Sequence, residues 1–497
     1  MQNVSPPRSE LETALARFSL GPRPDERAAV ARDPQGWLRA QVTPDAAFPP
    51  ALRALPGHAA LLAEVAEGPR TPETRKQNAR AARAVYAREA EARLQHAATT
   101  DTPFAERWVR ALSNLLTVSA AKHAVRGLAG AFEREVVRAH AFGTFGDLLR
   151  ASTQHPAMLL YLDNTRSMGP TSVAVGRRKG RKGPAGLNEN LAREILELHT
   201  LGLNERAGTA SLGRQPGGVL PASVGRQPGG VLPASLGRQH GGVSSYSQAD
   251  VQALAALLTG WTIAKHPDAA SKSDRFRFRR NAHEPLPQTL LGVRYAGGDE
   301  ADGEAALNAL AAHPATARNV SARIVESLAG QPVPEATAVL AESFATTGGD
   351  LKRVAEAAIA CEALWRAPAT LRPPDLQVVA WARALGVGDA DADWAPAAVK
   401  ALAYLGQPVF SAPSPKGFPD GEAAWAGPEQ VVRRIDVAQR LARAAVRQDP
   451  GAGARAEAAL GPEFSDSTRA QIASAGKGAG AGLRLAVALL APEVQRR

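Results

Sequence analysis

Helix-start signals recur along this chain and leave little room for sheet. Thr71-Pro72 and Thr102-Pro103 each set a hydroxyl ahead of a proline, an arrangement that caps backbone N–H groups and presets the first helical turn. The pattern predicts a long, charged, Ala-rich helix over Pro72–Ala98 and a more apolar one over Pro103–Ala121. Ser247 opens another, with Asp250 three residues later as in a capping box. Beyond Glu300, Ala-rich segments alternate with Gly, Pro and Asp breaks. Aromatics make up only 5% of the residues, so the core must be built from Ala, Leu and Val, which favours helix over sheet.

Strand signals are scarce. Arg275–Arg279 alternates strictly between Arg and Phe, as a half-buried strand does. Leu290–Tyr295 is its expected partner across the loop Asn281–Gln288, giving one small hairpin over about 275–295. The expected fold is therefore mainly α: a multi-helical globular body carrying one small β-hairpin. A helical domain is expected over 1–300 and a C-terminal helical region over 301–497, with a soft boundary near Gly297-Gly298. Between 207 and 245 a twelve-residue unit recurs three times, starting at Ala210, Ala222 and Ala234. Three units this rich in Gly and Pro cannot form a solenoid core, and a disordered loop insertion is expected there.

The charge balance is basic, with 59 Lys+Arg against 48 Asp+Glu and a formal net charge of +11. Spread along the whole chain, this charge reads first as solubility. The single cysteine, Cys361, excludes an internal disulfide framework and a Cys-based zinc cluster. Its apolar helical setting reads as an inert core thiol. The N-terminal residues lack the basic-then-apolar pattern of a signal peptide, and no apolar run reaches the ~18–20 residues that cross a bilayer. Cytoplasmic placement is the default expectation. One loop concentrates charge: Arg177, Arg178, Lys179, Arg181 and Lys182 lie among glycines. They make a candidate polyanion site, nucleic acid included, although no aromatics are interleaved for base stacking.

The densest chemistry lies in Asn188–Gly202. At 100° per residue, Glu189, Asn190, Arg193, Glu194 and Glu197 gather on one face. Leu191, Ala192, Ile195, Leu196, Leu198 and His199 gather on the other. The bland reading is an amphipathic helix with a salt-bridged outer face. The sharper one has Glu194 and Glu197, one turn apart, holding a metal or sharing a proton. His155 and His313 each precede a proline and are expected at helix starts, as neutral caps. His283, on the predicted hairpin loop, is the leading single candidate for chemistry. No nucleophile elbow, dinucleotide motif or zincin spacing is present, and no cofactor or metal is evident.

Asn188–Gly202, Tyr246–Val251 and Leu258–Thr262 together resemble the signature of the bacterial domain-of-unknown-function 1800 family. The similarity continues through Ala16–Gly21, His155–Leu159, Tyr161–Asn164, His313–Ala317 and Gly349–Leu351, in the family's order. The resemblance implies a mostly helical bacterial protein without a settled activity. It also implies a neighbour: such proteins often occur beside a sulfatase-like family, and many carry export signals, which makes a periplasmic or envelope partnership an expectation. This chain departs from the pattern at Ala111–Leu116, where Asn114 matches but Leu115 replaces a histidine. The favoured function is a non-catalytic partner or scaffold. The alternatives are a metal-dependent, hydrolase-like enzyme using His199, Glu194, Glu197 and His283, and a polyanion binder using the Arg177–Lys182 loop.

Overall fold

The computed structural model describes residues 8–66, 71–177, 186–203, 246–264, 276–391, 393–478 and 480–497. The twelve-residue repeats lie outside them. The described chain is mainly helical, with two small antiparallel sheets. Thr71 caps the Pro72–Thr99 helix by accepting from the Thr74 N–H, and Ser247 with Asp250 closes a capping box on the Gln248–Leu257 helix. Thr102 does not cap Pro103–Leu115; its hydroxyl meets that of Thr100 at 3.1 Å. That helix stops at Leu115 rather than near Ala121. Thr117, Val118 and Ser119 are poor helix formers, and the Thr117 hydroxyl bonds the Asn114 carbonyl at 3.1 Å instead.

Two apolar cores form. The first draws on residues from Ala14 to Leu364. The second joins Leu20 and part of the Pro72–Thr99 helix to Leu376–Val494. That helix of 28 residues serves both, giving Val85 to the first core and Ala90, Leu94, Ala97 and Ala98 to the second. The first core runs past the boundary expected near Gly297-Gly298, since the helices from Glu300 to Arg366 contribute to it.

The single expected hairpin is replaced by two sheets. β1 (Trp261–Ile263) pairs with β2 (Phe276–Phe278), and β3 (Gln288–Leu290) pairs with β4 (Val293–Tyr295). Leu291 and Gly292 both take positive φ, 50° and 79°, as a two-residue hairpin turn with the right twist demands. This turn folds Leu290–Tyr295 back on itself, so the Arg-Phe strand pairs with Trp261–Ile263 instead.

The basic composition has a structural use that the reading as surface charge missed. Nine arginines are buried among the described residues, against four glutamates and no lysine. Most spend their donors on backbone carbonyls, the groups that helix ends leave unsatisfied. Arg383 bonds the carbonyls of Gly21 and Thr100, each at 2.9 Å. Arg17 bonds those of Ala367 and Pro368 at 2.6 and 2.9 Å. Arg434 reaches the Arg372 carbonyl at 2.7 Å. A planar five-donor fork does this where an ammonium cannot.

Candidate functional site

The signature segment is an α-turn, Asn190–Glu194, running into a π-turn, Ile195–His199. Its apolar face is buried as the sequence requires, His199 included. Burial and Arg323 push the His199 imidazole down to about 3, so it is neutral, and its Nε2 has no hydrogen-bond partner among the described residues. On the outer face Arg193 holds Glu189 at 3.1 Å and Glu197 at 3.4 Å. Gln248 closes this network by donating to Glu189 at 2.7 Å. Burial, reinforced by Glu197, lifts the Glu194 carboxyl to about 7. Burial and the charge on Glu194 raise the nearby Tyr161 phenol to about 12.

His283 sits in a different setting. The 3-10 turn Arg280–Ala282 delivers it into the interior, where it is 2% exposed. Its Nδ1 donates to the Thr259 carbonyl at 2.8 Å, its ring meets Phe278 edge-on at 5.0 Å, and its Nε2 has no partner among the described residues. Burial lowers its pKa; the charges acting on it are those of Asp302, Glu284 and Asp299. Glu284 is clamped as well, accepting from the Thr171 N–H at 3.0 Å while its own N–H donates to the Thr259 hydroxyl at 2.8 Å. The structure therefore brings Glu194 and Glu197 together but gives His199 and His283 surroundings of their own. Of the basic loop, Arg177 ends the short Val173–Gly176 helix and is exposed. Arg178, Lys179, Arg181 and Lys182 lie outside the described residues. Cys361 is buried between two helices.

His155 and His313 cap their helices through Nδ1, which accepts at 3.1 Å from the N–H of Ala157 and of Ala315 respectively. Burial lowers both pKa values. His155 also belongs to a cluster that the sequence did not reveal. His58, Glu135 and His155 offer ligand-type atoms within 4.8 Å of one another. Glu135 accepts from the His58 N–H at 2.7 Å through Oε1, and its Oε2 meets both the His58 Nδ1 and, at 3.3 Å, the His155 Nε2. Two histidines and a carboxylate are a common metal donor set, but the cap decides otherwise. With Nδ1 accepting from a backbone N–H, the neutral His155 ring carries its proton on Nε2, the atom a metal would need bare. The cluster is a hydrogen-bonded clamp. Burial alone would raise the Glu135 carboxyl, but its bonds to His155 and His58 hold it well below the usual range.

A second arrangement lies between the two cores. A cavity of about 90 Å³ is lined by Arg107, Arg110, Asn114, Asp375, Asp420 and Arg497, among others. Asn114 anchors one wall. It donates to the Phe418 carbonyl at 2.9 Å and accepts from the Phe418 N–H at 2.8 Å. Gly417 lies against it with φ +88°, where an added Cβ would fall 2.3 Å from Asn114 Oδ1, so only glycine fits. Behind this wall Arg138 binds Glu106 through 2.7 and 3.0 Å bonds and Glu133 at 2.9 Å. Arg93 and Arg110 flank the group. Leu115, next to Asn114, is 1% exposed in the first core.

A helical body of two cores, with an ordered signature segment and an arginine-lined cavity between the cores, is the class of protein that these features define. The family described as "Protein of unknown function (DUF1800)" matches residues 13–496, and the chain belongs to it. No curated protein and no solved structure matches the chain. No helix among the described residues is long and apolar enough to cross a membrane.

Proposed function

We propose that this protein is a non-catalytic partner protein that docks onto a second protein through its C-terminal region. The observation that carries this reading is an exposed apolar stripe. Val431, Val432 and Ile435 on the Pro428–Gln448 helix are 47%, 64% and 39% exposed, and Tyr404, which ends the Trp394–Tyr404 helix, is 46% exposed. Arg433 ties the two elements, donating to the Tyr404 carbonyl at 2.8 Å with its guanidinium 5.4 Å above the ring. Ion pairs Glu429–Arg433 and Asp436–Arg440 run along the same helix. An apolar centre with a charged rim is the anatomy of a protein interface.

The family resemblance suggests the candidate partner, a sulfatase-like protein of the kind that often occurs beside members of this family, in the cell envelope. An enzyme reading has less support, because the two candidate histidines are buried, neutral and separately surrounded. The test is co-expression of the full chain with that neighbour, followed by sedimentation analysis of the purified pair. A stable complex in the parent and its loss in Val432→Asp, with each chain still folded, supports the reading. Separate sedimentation of the parent pair overturns it.

A further inference from the structure

We propose that the cavity between the two cores is a binding site for a small tetrahedral oxyanion, sulfate or phosphate, held by Arg107, Arg110 and Arg497. These three side chains are 2%, 4% and 1% exposed. Each commits only part of its guanidinium fork to the protein. Arg107 gives both terminal nitrogens to Ser327. Arg110 gives Nη1 to Asp375 at 2.9 Å, and Arg497 gives Nη2 to the Asp420 carbonyl at 2.8 Å. Arg107 Nε, Arg110 Nη2, and Arg497 Nε and Nη1 find no acceptor among the described residues. Folded proteins pair nearly all their buried donors. Several unpaired donors on cations lining one cavity therefore call for an acceptor from outside the chain.

Charge points the same way. Arg93 and Glu133 neutralise each other at 2.8 Å, and Asp375 serves Arg110. Asp420 is the remaining counter-charge. Its side chain accepts from Asn114 at 3.1 Å, so one of its oxygens is already engaged by a neutral donor. The pairing of Thr370–Arg372 with Gln495–Arg497 fixes Arg497 in place through bonds of 2.8–3.2 Å. At ~10–15 Å³ of such volume per water, the space suits about six to nine waters or one small oxyanion, not a polyanion. Guanidinium forks match the oxygen spacing of sulfate and phosphate. The Asp375 side chain keeps 17% exposure and Pro419 is exposed, so the site reaches solvent.

This inference does not depend on the docking surface. The test is titration calorimetry of the full chain with sodium sulfate and, separately, sodium phosphate, against sodium chloride at matched ionic strength. Thermal shifts alone are not used, because both anions stabilise proteins by exclusion from the surface. One-to-one saturable binding is expected for sulfate or phosphate and none for chloride. Arg497→Met, which removes donors, and Ala412→Met, which fills the cavity without touching a charge, are each expected to weaken it at least tenfold. Absence of saturable binding in the parent, or undiminished binding in a folded Ala412→Met variant, overturns the proposal.

Discussion

Arg138→Met is the sharpest test of the buried charge network. Arg138 is 1% exposed and gives two bonds to Glu106, one to Glu133 and one, at 3.1 Å, to the Ala47 carbonyl. Methionine keeps much of the stem volume, so the packing loss is small. The charge loss is not. Glu106, itself 0% exposed, keeps among the described residues only Arg110 at 3.4 Å and His96 at 3.6 Å. Removing one partner of a buried pair costs about 3–5 kcal/mol. A second route gives the same range. Glu106 can escape its stranded charge by taking up a proton, and at pH 7 that costs an ordinary glutamate about 3.7 kcal/mol, at about 1.36 kcal/mol per pH unit. This second route also predicts a pH dependence: the deficit of the variant shrinks to about 1 kcal/mol at pH 5. Urea unfolding followed by tryptophan fluorescence reads both, since Trp108 lies buried on the same helix. A variant within about 1 kcal/mol of the parent at pH 7, or a deficit that does not change with pH, refutes the reasoning.

Acid should unfold the parent through its depressed carboxyls. Burial would raise Glu106, but Arg138 and His96 hold it at about 2, and Glu135 is also held low. Stability from these groups is present above about pH 4.3 and is lost as pH falls towards 2; a flat unfolding midpoint across that window counts against it. Glu194→Gln should show the opposite sign. With the Glu194 carboxyl lifted to about 7 by burial and Glu197, its stabilisation is lost as pH rises through 7, so the Gln variant gains on the parent between pH 5 and 8. A melting-temperature difference that is constant over that range would sink this assignment. Leu115→His should destabilise by at least about 2 kcal/mol, because Leu115 faces the apolar core. An unchanged urea midpoint would show that the position tolerates a polar group.

Local rules made much of the fold legible. The Thr71 and Ser247 caps, the His-Pro helix starts and the buried face of Asn188–Gly202 all follow from interactions within a few residues. The sheet pairing did not follow, because it depended on Leu291 accepting a positive φ that its residue type disfavours. The candidate site was less legible still. His58, Glu135 and His155 meet across separations of 77 and 20 residues, and no local pattern joins them. One signal was available: Glu106, Arg107 and Arg110 fall within a helix whose other residues are largely apolar. Charges one turn apart on a helix destined for burial announce partners elsewhere in the chain.

The buried arginines have a consequence for how the chain can be divided. Arg383 is anchored 362 residues away at Gly21, and Arg17 is anchored 350 residues away at Ala367. Each guanidinium finds its carbonyls only when the far end of the polypeptide has arrived. Two fragments cut between the cores, each with an apolar centre of its own, would both be left with desolvated cations that have nothing to hold. The halves should be insoluble when made alone and recover only when refolded together. Stepwise loss of one core before the other is barred for the same reason, so this large protein should melt as one unit.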